Sequence, residues 1–355
     1  MRIDRIRWAI HETPRTQPLT IARGTATTAT NVLVRLESGN LVGHGSGCPN
    51  DVTGETRESV ARAIETLAQG LRGREVEKPI HLADAMDRVL PGNPAAKAGV
   101  DSAFHDALAR SRGVPLFRWL GGARPSILTD MTIGIMDLDD AVERARHWVA
   151  HGFRALKLKV GLGPEGDALR VRGVRDAVGP GVEIRVDGNQ GFRYADALRF
   201  ARDIAPLGIA FLEQPLAAGD LDGMKLLTEV CPIPIMADES VLTPEDAMKV
   251  RWAGAAKAVN LKLMKHGGIQ RALEVNTICE SAGYPTMVGC MGESVVSIAA
   301  GLHVALASAN VRWADLDSHF HLLRDVAEPL RFEGGALHAP DAPGLGLRVD
   351  EALFE

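Results

Sequence analysis

The sequence predicts an α/β protein in which a (β/α)8-type barrel, a modified TIM barrel, follows an amino-terminal α+β capping domain. Apolar runs that end in a charged residue recur along the chain, and their ends lie 24 to 28 residues apart, at Lys159, Asp187, Glu213, Asp238 and Lys262. Each step has room for one strand, one loop and one helix. Strands that alternate with helices at this spacing indicate a parallel sheet, and the strands-then-helices order of the first 124 residues indicates a separate domain.

The capping domain is predicted to span residues 1–124. Residues 3–10 and 31–37 have the composition of strands, and the stretch between them, residues 18–26, is predicted to be a loop. Residues 39–54 are rich in Gly, Asn, Pro and Ser and are predicted to be irregular. Helical spacing of small and apolar residues then predicts three helices, at residues 56–71, 81–90 and 94–112.

The barrel is predicted to span residues 125–321. Its first strand is expected at residues 130–135, followed by a helix over residues 137–151. The five runs with charged ends supply the next five strands, and residues 285–289 and 312–316 supply strands seven and eight. The tail, residues 322–355, is rich in Gly and Pro, and we expect turns and short strands that pack back on the capping domain.

Composition excludes several classes of partner. The chain of 355 residues carries a net charge of −5, with acids and bases interleaved, which favours neither nucleic acid nor an anionic membrane. The first residues lack the apolar core of a signal peptide and no apolar stretch approaches a membrane span, so we expect a cytoplasmic protein. Four scattered cysteines predict neither a zinc site nor a disulfide framework. The oligomeric state is left open, a homo-oligomer included.

The strand that ends at Lys159 carries two lysines on one face. Because side chains alternate along a strand, Leu156, Leu158 and Val160 point to one face, and Lys157 and Lys159 to the other. An isolated pair of this kind is usually the solvated face of an edge strand. The charged ends of the following strands reverse that preference, because parallel α/β folds build their active sites at the carboxyl ends of strands.

Three acids end consecutive strands and should converge on one rim of the barrel: Asp187, Glu213 and Asp238. Carboxylate oxygens without Cys or His suit a hard cation, Mg2+ before Mn2+ or Ca2+. Three carboxylates at such close range would repel one another without it. The sequence therefore predicts one divalent cation at this rim.

Two further lysines flank this site. Lys159 precedes the three acids and Lys262 follows them, which places the two amines across the barrel mouth from each other. The cation and Lys157 place positive charge near these two lysines. This charge is expected to lower their pKa towards neutrality, as a general base requires. This arrangement predicts a reaction in which one lysine removes an α-proton from one face of a substrate whose carboxylate the metal holds. The other lysine would return a proton to the opposite face, and the cation would stabilise the enediolate intermediate.

Five motifs contain these residues: Leu156-Lys-Leu-Lys-Val-Gly161, Val186-Asp-Gly-Asn-Gln190, Leu212-Glu-Gln-Pro215, Ala237-Asp-Glu-Ser240 and Asn260-Leu-Lys-Leu-Met-Lys-His-Gly-Gly268. Together they resemble the muconate lactonizing subgroup of the enolase superfamily. The resemblance covers nearly the full chain, including Asn93-Pro-Ala-Ala-Lys-Ala-Gly99 and Leu120-Gly-Gly122. It implies that Lys159 and Lys262 are the acid/base pair and that Lys157 helps them electrostatically. It also implies that Mg2+ is bound by Asp187, Glu213 and Asp238. These ligands would be supported by Asn189 and Glu239.

Strand eight carries a second pair of acids in Trp313-Ala-Asp-Leu-Asp-Ser-His319. Asp315 and Asp317 share a face and could bind the cationic end of a substrate whose carboxylate the metal holds, and a dipeptide has both ends. The pair resembles that of the dipeptide epimerases of the L-Ala-D/L-Glu type, as does Gly289-Cys-Met-Gly-Glu-Ser294, in which Cys290 and Met291 would contact the substrate. The resemblance implies an isomerase that inverts the α-carbon of the second residue of L-Ala-L-Xaa dipeptides. The alternative is that the two acids only cap a turn.

Other functions remain open at this stage. The same scaffold could carry muconate cycloisomerase, o-succinylbenzoate synthase or N-acylamino acid racemase activity. The mandelate racemase branch is disfavoured, because Val288-Gly-Cys-Met291 at the end of strand seven contains no histidine base. A disabled barrel that only binds a ligand would require a missing base or metal ligand, and every one is present.

The residues that select the substrate lie in two capping segments. Pro18-Leu-Thr-Ile-Ala-Arg-Gly24 resembles the loop that closes over the side chain of the epimerised residue. If Arg23 faces the pocket, an acidic second residue is expected. If it points outward, Leu19 and Ile21 would line an apolar pocket for hydrophobic dipeptides. In the second segment, Ser46 stands where many relatives carry Glu.

Several basic residues are predicted to have structural roles. His303, on an apolar helix, is expected to be a core histidine whose ring nitrogens have partners. His319 and His321 follow the acid pair and could touch substrate, although surface positions are commoner for loop histidines. The segment of residues 265–268 is expected to turn the chain into the next helix.

Overall fold

Three antiparallel strands and three long helices form the amino-terminal part of the computed structural model, which describes residues 1–355. The strands are β1 (Arg5–Ile21), β2 (Gly24–Ser38) and β3 (Leu41–Gly47). The helices are α1 (Arg57–Leu71), α2 (Pro79–Val89), α3 (Pro94–Ser111) and the short α4 (Leu116–Trp119). Helix α3 is buried along most of its length because it lies directly on β3, where a Cβ at Gly43 or Gly45 would come within 2.0 or 2.1 Å of a helix carbonyl oxygen.

Two segments predicted to be irregular contain strands, so the prediction was wrong for residues 18–26 and for residues 41–47, while residues 48–54 are irregular as predicted. Residues 18–26 form the tip of the β1–β2 hairpin, in which Ile21 pairs with Gly24 and only two residues make the turn. Residues 39–54 contain β3, whose glycines were taken for loop residues although they allow the close approach of α3. The hairpin tip reaches the barrel, because a Cβ at Gly191 would lie 2.8 Å from the Cβ of Ala22.

Eight parallel strands form the second sheet, and they follow one another in chain order. After a short strand, β4 (Ser126–Leu128), they are β5 (Met131–Ile133), β6 (Ala155–Lys159), β7 (Glu183–Asp187), β8 (Ile209–Glu213), β9 (Ile235–Ala237), β10 (Ala258–Leu261), β11 (Thr286–Gly289) and β12 (Val311–Asp315). The sheet closes where the Asp130 N–H donates to the carbonyl oxygen of Ala314, at 3.2 Å. The predicted (β/α)8-type barrel is confirmed, with each strand within three residues of its expected bounds.

Helices connect the strands, and successive helices pack against each other around the sheet. They are α5 (Leu138–Ala150), α6 (Pro164–Val178), α7 (Tyr194–Ile204), α8 (Leu221–Val230), α9 (Pro244–Ala253), α10 (Leu263–His266), α11 (Ile269–Ser281) and α12 (Val295–Ala307). None of the helices combines the length and apolarity that crossing a membrane requires. One continuous apolar core runs from the capping strands into the barrel, so the two parts bury surface against each other.

The tail contacts both parts of the chain. In a third sheet, strand β14 (Ala336–His338) pairs with β4 on one side and with β13 (Arg331–Glu333) on the other. Farther on, the Leu116 N–H donates to the carbonyl oxygen of Gly344 at 2.8 Å, and Arg35 Nε donates to Glu351 Oε2 at 2.7 Å. The last residues therefore lie against the amino-terminal sheet and helices.

His303 is a core histidine, as predicted. It lies on α12, and its Nδ1 accepts a hydrogen bond from the Phe117 N–H at 3.0 Å, while Nε2 lies 3.3 Å from the carbonyl oxygen of Leu345. Its ring also stacks on that of Phe117, with 5.9 Å between the centroids. Burial lowers the pKa of His303 to about 4. The ring is therefore neutral in the fold and joins α12, α4 and the tail.

We predict that the His303→Asn variant has a flatter dependence of unfolding free energy on pH than the unchanged protein. The unfolded chain binds this proton below about pH 6.5 and the folded chain only near pH 4, so His303 costs stability as pH falls through that window. The substitution should therefore lower the free energy of unfolding, measured in urea, by about 2 kcal/mol less at pH 5 than at pH 8. His81→Asn, at an exposed position, is the control, and equal losses at both pH values for His303→Asn would contradict the assignment.

Candidate active site

Lys157 lies inside the barrel and is fully buried among carboxylates. Its Nζ is 2.8 Å from Glu213 Oε2, 2.8 Å from Asp315 Oδ2 and 3.2 Å from Asp187 Oδ2. Burial opposes the charged form, but attraction to Asp315, then Glu213 and Asp187, outweighs it and raises the pKa of Lys157 well above its ordinary value. Lys157 is thus an ammonium ion that holds the acids of three strands together.

Lys159 and Lys262 both line one cavity. Lys159 ends β6, and Lys262 directly follows β10, four strands farther around the sheet. The Nζ of Lys159 donates to Asp187 Oδ2 at 2.7 Å, and the Nζ of Lys262 lies 2.7 Å from Asp238 Oδ2. The expected lowering of a lysine pKa is not seen at Lys262. Burial does favour its neutral amine, but the Asp238 carboxylate outweighs burial and raises the pKa.

The three predicted metal ligands are fully buried at this rim, where the strand register pairs Asp187 with Glu213. Burial disfavours ionisation of Asp187 and Asp238, but the lysines beside them outweigh burial and lower the pKa of each. For Glu213, burial and then repulsion from Asp187 raise the pKa to about 7, although the Lys157 ammonium is close. The site therefore holds two firmly ionised carboxylates and one that titrates near neutrality.

These acids fit a hard divalent cation. Glu213 Oε2 and Asp238 Oδ2 are buried and accept no hydrogen bond of acceptable geometry. A second group of potential ligand atoms, which lie within 4.8 Å of one another, belongs to Cys290, Asp315 and Asp317. Burial, followed by repulsion from Asp317, raises the pKa of Cys290 well above its ordinary value, and a protonated thiol is a poor ligand for Mg2+. Asp187, Glu213 and Asp238 are therefore the better suited of the two sets to hold such a cation.

Lys265 has a role that the sequence analysis missed. It was predicted only to turn the chain, but its side chain is fully buried, and its Nζ donates to Asp238 Oδ1 at 2.7 Å and to the Asp238 carbonyl oxygen at 2.6 Å. The spacing contained the necessary information, because residues three apart in a helical turn lie on the same side, and Lys265 follows Lys262 by three. Asn260, which donates to Glu213 Oε1 at 2.7 Å, was likewise not assigned a role.

The acid pair at the end of β12 faces the same cavity. Asp317 Oδ2 accepts a hydrogen bond from the Thr132 N–H at 2.6 Å, and the Cys290 thiol lies 3.6 Å from Asp317 Oδ1. Asp317 precedes a 3-10 turn, but its side chain accepts no hydrogen bond from the backbone of that turn. The alternative of a simple turn cap is therefore wrong. Burial opposes ionisation of Asp317, but the neighbouring His321 and the hydrogen bond from the Thr132 N–H lower its pKa.

The two histidines after this pair are not surface residues, contrary to the expectation. His319 is buried, and the side chain of His321 is only 13% exposed because the turn that carries them (Ser318–His321) folds against α5 residue Trp148. Burial lowers the pKa of His319 to about 4, so this ring is neutral. His321 Nε2 lies 3.7 Å from Asp317 Oδ2, and His321 lines the cavity.

The cavity has a volume of about 310 Å3 and lies between the barrel rim and the β1–β2 hairpin. It brings together most of the predicted substrate-binding and catalytic side chains, namely Lys159, Lys262, Asp315, Asp317, Asn189, Cys290, Met291, Leu19, Ile21 and Arg23. The three buried acids and Lys157 lie beneath it. Ser46 is not among its lining residues, because its hydroxyl is buried in β3 and donates to Asn31 Oδ1 at 3.3 Å.

Both alternatives for the hairpin occur together. Arg23 faces the cavity, and so do Leu19 and Ile21. The Nη2 of Arg23 lies 3.5 Å from Glu239 Oε1, so its charge already has a partner within the protein. Burial, then repulsion from Asp238 and a second carboxylate, raises the pKa of Glu239.

Comparison with known proteins agrees with this geometry. Residues 5–121 match the family model for the mandelate racemase / muconate lactonizing enzyme amino-terminal domain, and residues 140–353 match "Enolase C-terminal domain-like". The L-Lys-D/L-Arg epimerase of Methylococcus capsulatus is 40% identical over 98% of this chain and 99% of its own.

Two solved structures have nearly the same fold. The substrate-liganded L-Ala-D/L-Glu epimerase of Bacillus subtilis superposes with a TM-score of 0.95 at 36% identity, covering 98% of this chain and 99% of that one. The dipeptide epimerase of Enterococcus faecalis V583, complexed with Mg and L-Leu-L-Tyr, has the same TM-score, identity and coverage. The three relatives differ in the dipeptide that is given in their name or in their complex.

We predict that Lys157→Met lowers the free energy of unfolding by about 3 to 5 kcal/mol, because it leaves buried carboxylates uncompensated. Lys159→Met is the matched control. It removes the same charge from the same strand, but its ammonium contacts only Asp187, so less than half of that loss is expected. Urea unfolding at pH 7.5 in EDTA measures both. Equal losses would show that Lys157 does not hold the acids together.

Proposed function

Because the chain belongs to the mandelate racemase and muconate lactonizing enzyme family of the enolase superfamily and is a racemase or epimerase of amino-acid derivatives, we propose that its substrate is a dipeptide. The reaction is inversion of the α-carbon of the second residue in L-Ala-L-Xaa-type dipeptides. One observation carries the proposal: Lys159 and Lys262 line one cavity from strands four apart, and Asp315 and Asp317 line it with them.

The two lysines perform the proton transfer. One amine removes the α-proton from one face of the carbon, and the ammonium of the other lysine gives a proton to the opposite face. The C–H bond that breaks is replaced by a new C–H bond, and the two lysines exchange protonation states. The opposite stereoisomer reacts by the same steps in reverse, so Lys159 and Lys262 serve as base and acid in turn.

Asp187, Glu213 and Asp238 would hold one Mg2+, in preference to Mn2+. When bound there, the cation supplies positive charge that stabilises the anion formed when the α-proton leaves. Asn260 and Lys265 hold two of the carboxylates in place through hydrogen bonds of 2.7 Å. A carboxylate that binds a cation also attracts its neighbouring lysine less, which favours the neutral amine that a base requires.

Asp315 and Asp317 would bind the α-ammonium of the first residue. Both are buried at the cavity wall, and Thr132 donates a hydrogen bond to Asp317. Substrates of the alternative reactions, such as muconates and N-acylamino acids, have no ammonium group to compensate these carboxylates. The acid pair therefore favours a dipeptide over those reactions.

The test is exchange of the α-proton in deuterium oxide, followed by NMR for a library of L-Ala-L-Xaa dipeptides with Mg2+. We expect exchange at the second residue. Lys159→Ala and Lys262→Ala should each lower epimerisation by about a thousandfold or more. Each variant should still exchange the α-proton of one stereoisomer, and the stereoisomer that exchanges should differ between the two variants. Lys249→Ala, at an exposed position on α9, is the control.

Two outcomes would overturn this proposal. An absence of exchange across the library, with Mg2+ present, would exclude a dipeptide epimerase. Full turnover of both stereoisomers by either lysine variant would exclude the two-base mechanism. Faster turnover of muconates or N-acylamino acids than of any dipeptide would favour the alternative reactions.

We predict that activity is lost in EDTA and restored by Mg2+, and that Mg2+ raises the Tm of the unchanged protein because it binds only the folded chain. Asp238→Asn should require at least about tenfold more Mg2+ for the same rise in Tm, because it removes one charged ligand. Asp222→Asn, exposed on α8, is the control. A rise in Tm that is the same for Asp238→Asn and the unchanged protein would place the cation elsewhere.

A further inference from the structure

Arg15 lies in a bulge of the β1–β2 hairpin. Pro14 pairs with Thr28 and Leu19 pairs with Ala26, so residues 15–18 stand opposite Thr27 alone. Bulges of this kind redirect side chains and occur often beside active sites. Arg15 lines the active-site cavity, in which no sequence pattern had indicated a role for it.

The guanidinium of Arg15 has no partner within the protein. Its Nε is buried without a hydrogen bond, and no carboxylate lies within 4.0 Å of the group. Arg23, the other arginine of the cavity, differs because it lies 3.5 Å from the Glu239 carboxylate. Of the two arginines, Arg15 alone has its charge available to a ligand.

Arg15 is located at the end of the cavity that would receive the first residue of a dipeptide. A Cβ built on Gly292 would lie 3.4 Å from Arg15 Nη2. Gly292 is two residues after Cys290, whose thiol is 3.6 Å from Asp317 Oδ1. The backbone of Arg15 also bridges to Leu322, next to His321, which lies 3.7 Å from Asp317. Arg15 therefore neighbours the site proposed for the α-ammonium.

We propose that Arg15 binds a side-chain carboxylate on the first residue, so that the preferred substrates are dipeptides that begin with glutamate or aspartate. This inference rests on the proposed function. An arginine and a carboxylate form strong, geometrically specific hydrogen bonds, and an unpaired guanidinium in a cavity repels a cationic side chain. Asp315 and Asp317 bind the ammonium of the same residue, so the two charges of its amino end and side chain are recognised separately.

The experiment compares dipeptides that share one second residue, the one exchanged fastest in the L-Ala-L-Xaa library. With the unchanged protein, kcat/KM for L-Glu-L-Xaa should exceed that for the neutral isostere L-Gln-L-Xaa at least about tenfold, with L-Lys-L-Xaa the poorest. Arg15→Gln should remove this preference by raising KM for L-Glu-L-Xaa, and Arg15→Lys should restore part of it. Arg144→Gln is the matched control, because Arg144 lines a small neighbouring cavity with Arg15 but does not line the active-site cavity.

The outcomes separate this inference from the proposed function. Exchange with L-Ala-L-Xaa but equal kcat/KM for the Glu and Gln dipeptides overturns the role of Arg15 alone. A preference for glutamate that survives in Arg15→Gln does the same. Faster exchange of N-succinyl-L-Xaa than of L-Glu-L-Xaa also overturns the inference, because it assigns the carboxylate to an acyl group without an ammonium. Absence of exchange with every dipeptide is a failure of the proposed function itself.

Discussion

The active end of the barrel depends on the mutual compensation of buried charges. Lys157, Lys159, Lys262 and Lys265 are buried beside three carboxylates on neighbouring strands, and neither set would be stable there without the other. The carboxyl ends of β6 to β10 bring the charges together, and the fully buried Lys157 links three strands through its single ammonium. The cavity lined by Lys159 and Lys262 adjoins this ionic layer, so the proposed catalysis and the folding of the barrel depend on the same groups.

The capping domain contributes a wall to the site and is joined to the barrel by packing. Glycines in β3 let α3 approach, and the core continues from these elements into the barrel. The hairpin then carries Leu19, Ile21 and Arg23 to the cavity. The side chains of the ionic layer are thus held on short parallel strands, while these hairpin side chains lie on a separate antiparallel element.

The sequence predicted the barrel and its charged strand ends well, because the spacing of the apolar runs and the residue that ends each run can be read directly from the chain. It failed for residues 18–26 and 41–47, where local composition indicated loops but pairing partners and the approach of α3 decide the structure. Lys265 and Arg15 were missed for different reasons. Lys265 could have been found from its spacing to Lys262, whereas the direction of Arg15 follows from a bulge that only the pairing register reveals.

The contact of Ala22 with Gly191 and Gly161, at the hairpin tip, has a consequence for the time course of the reaction. This contact must part if the wall is to move, whereas the proton transfers proposed for Lys159 and Lys262 require no such displacement. If parting is the slower event, a bound molecule is inverted many times before it escapes. The enzyme would then release both configurations from its first encounters, and the ratio in which they emerge would reflect their relative energies on the protein rather than in water.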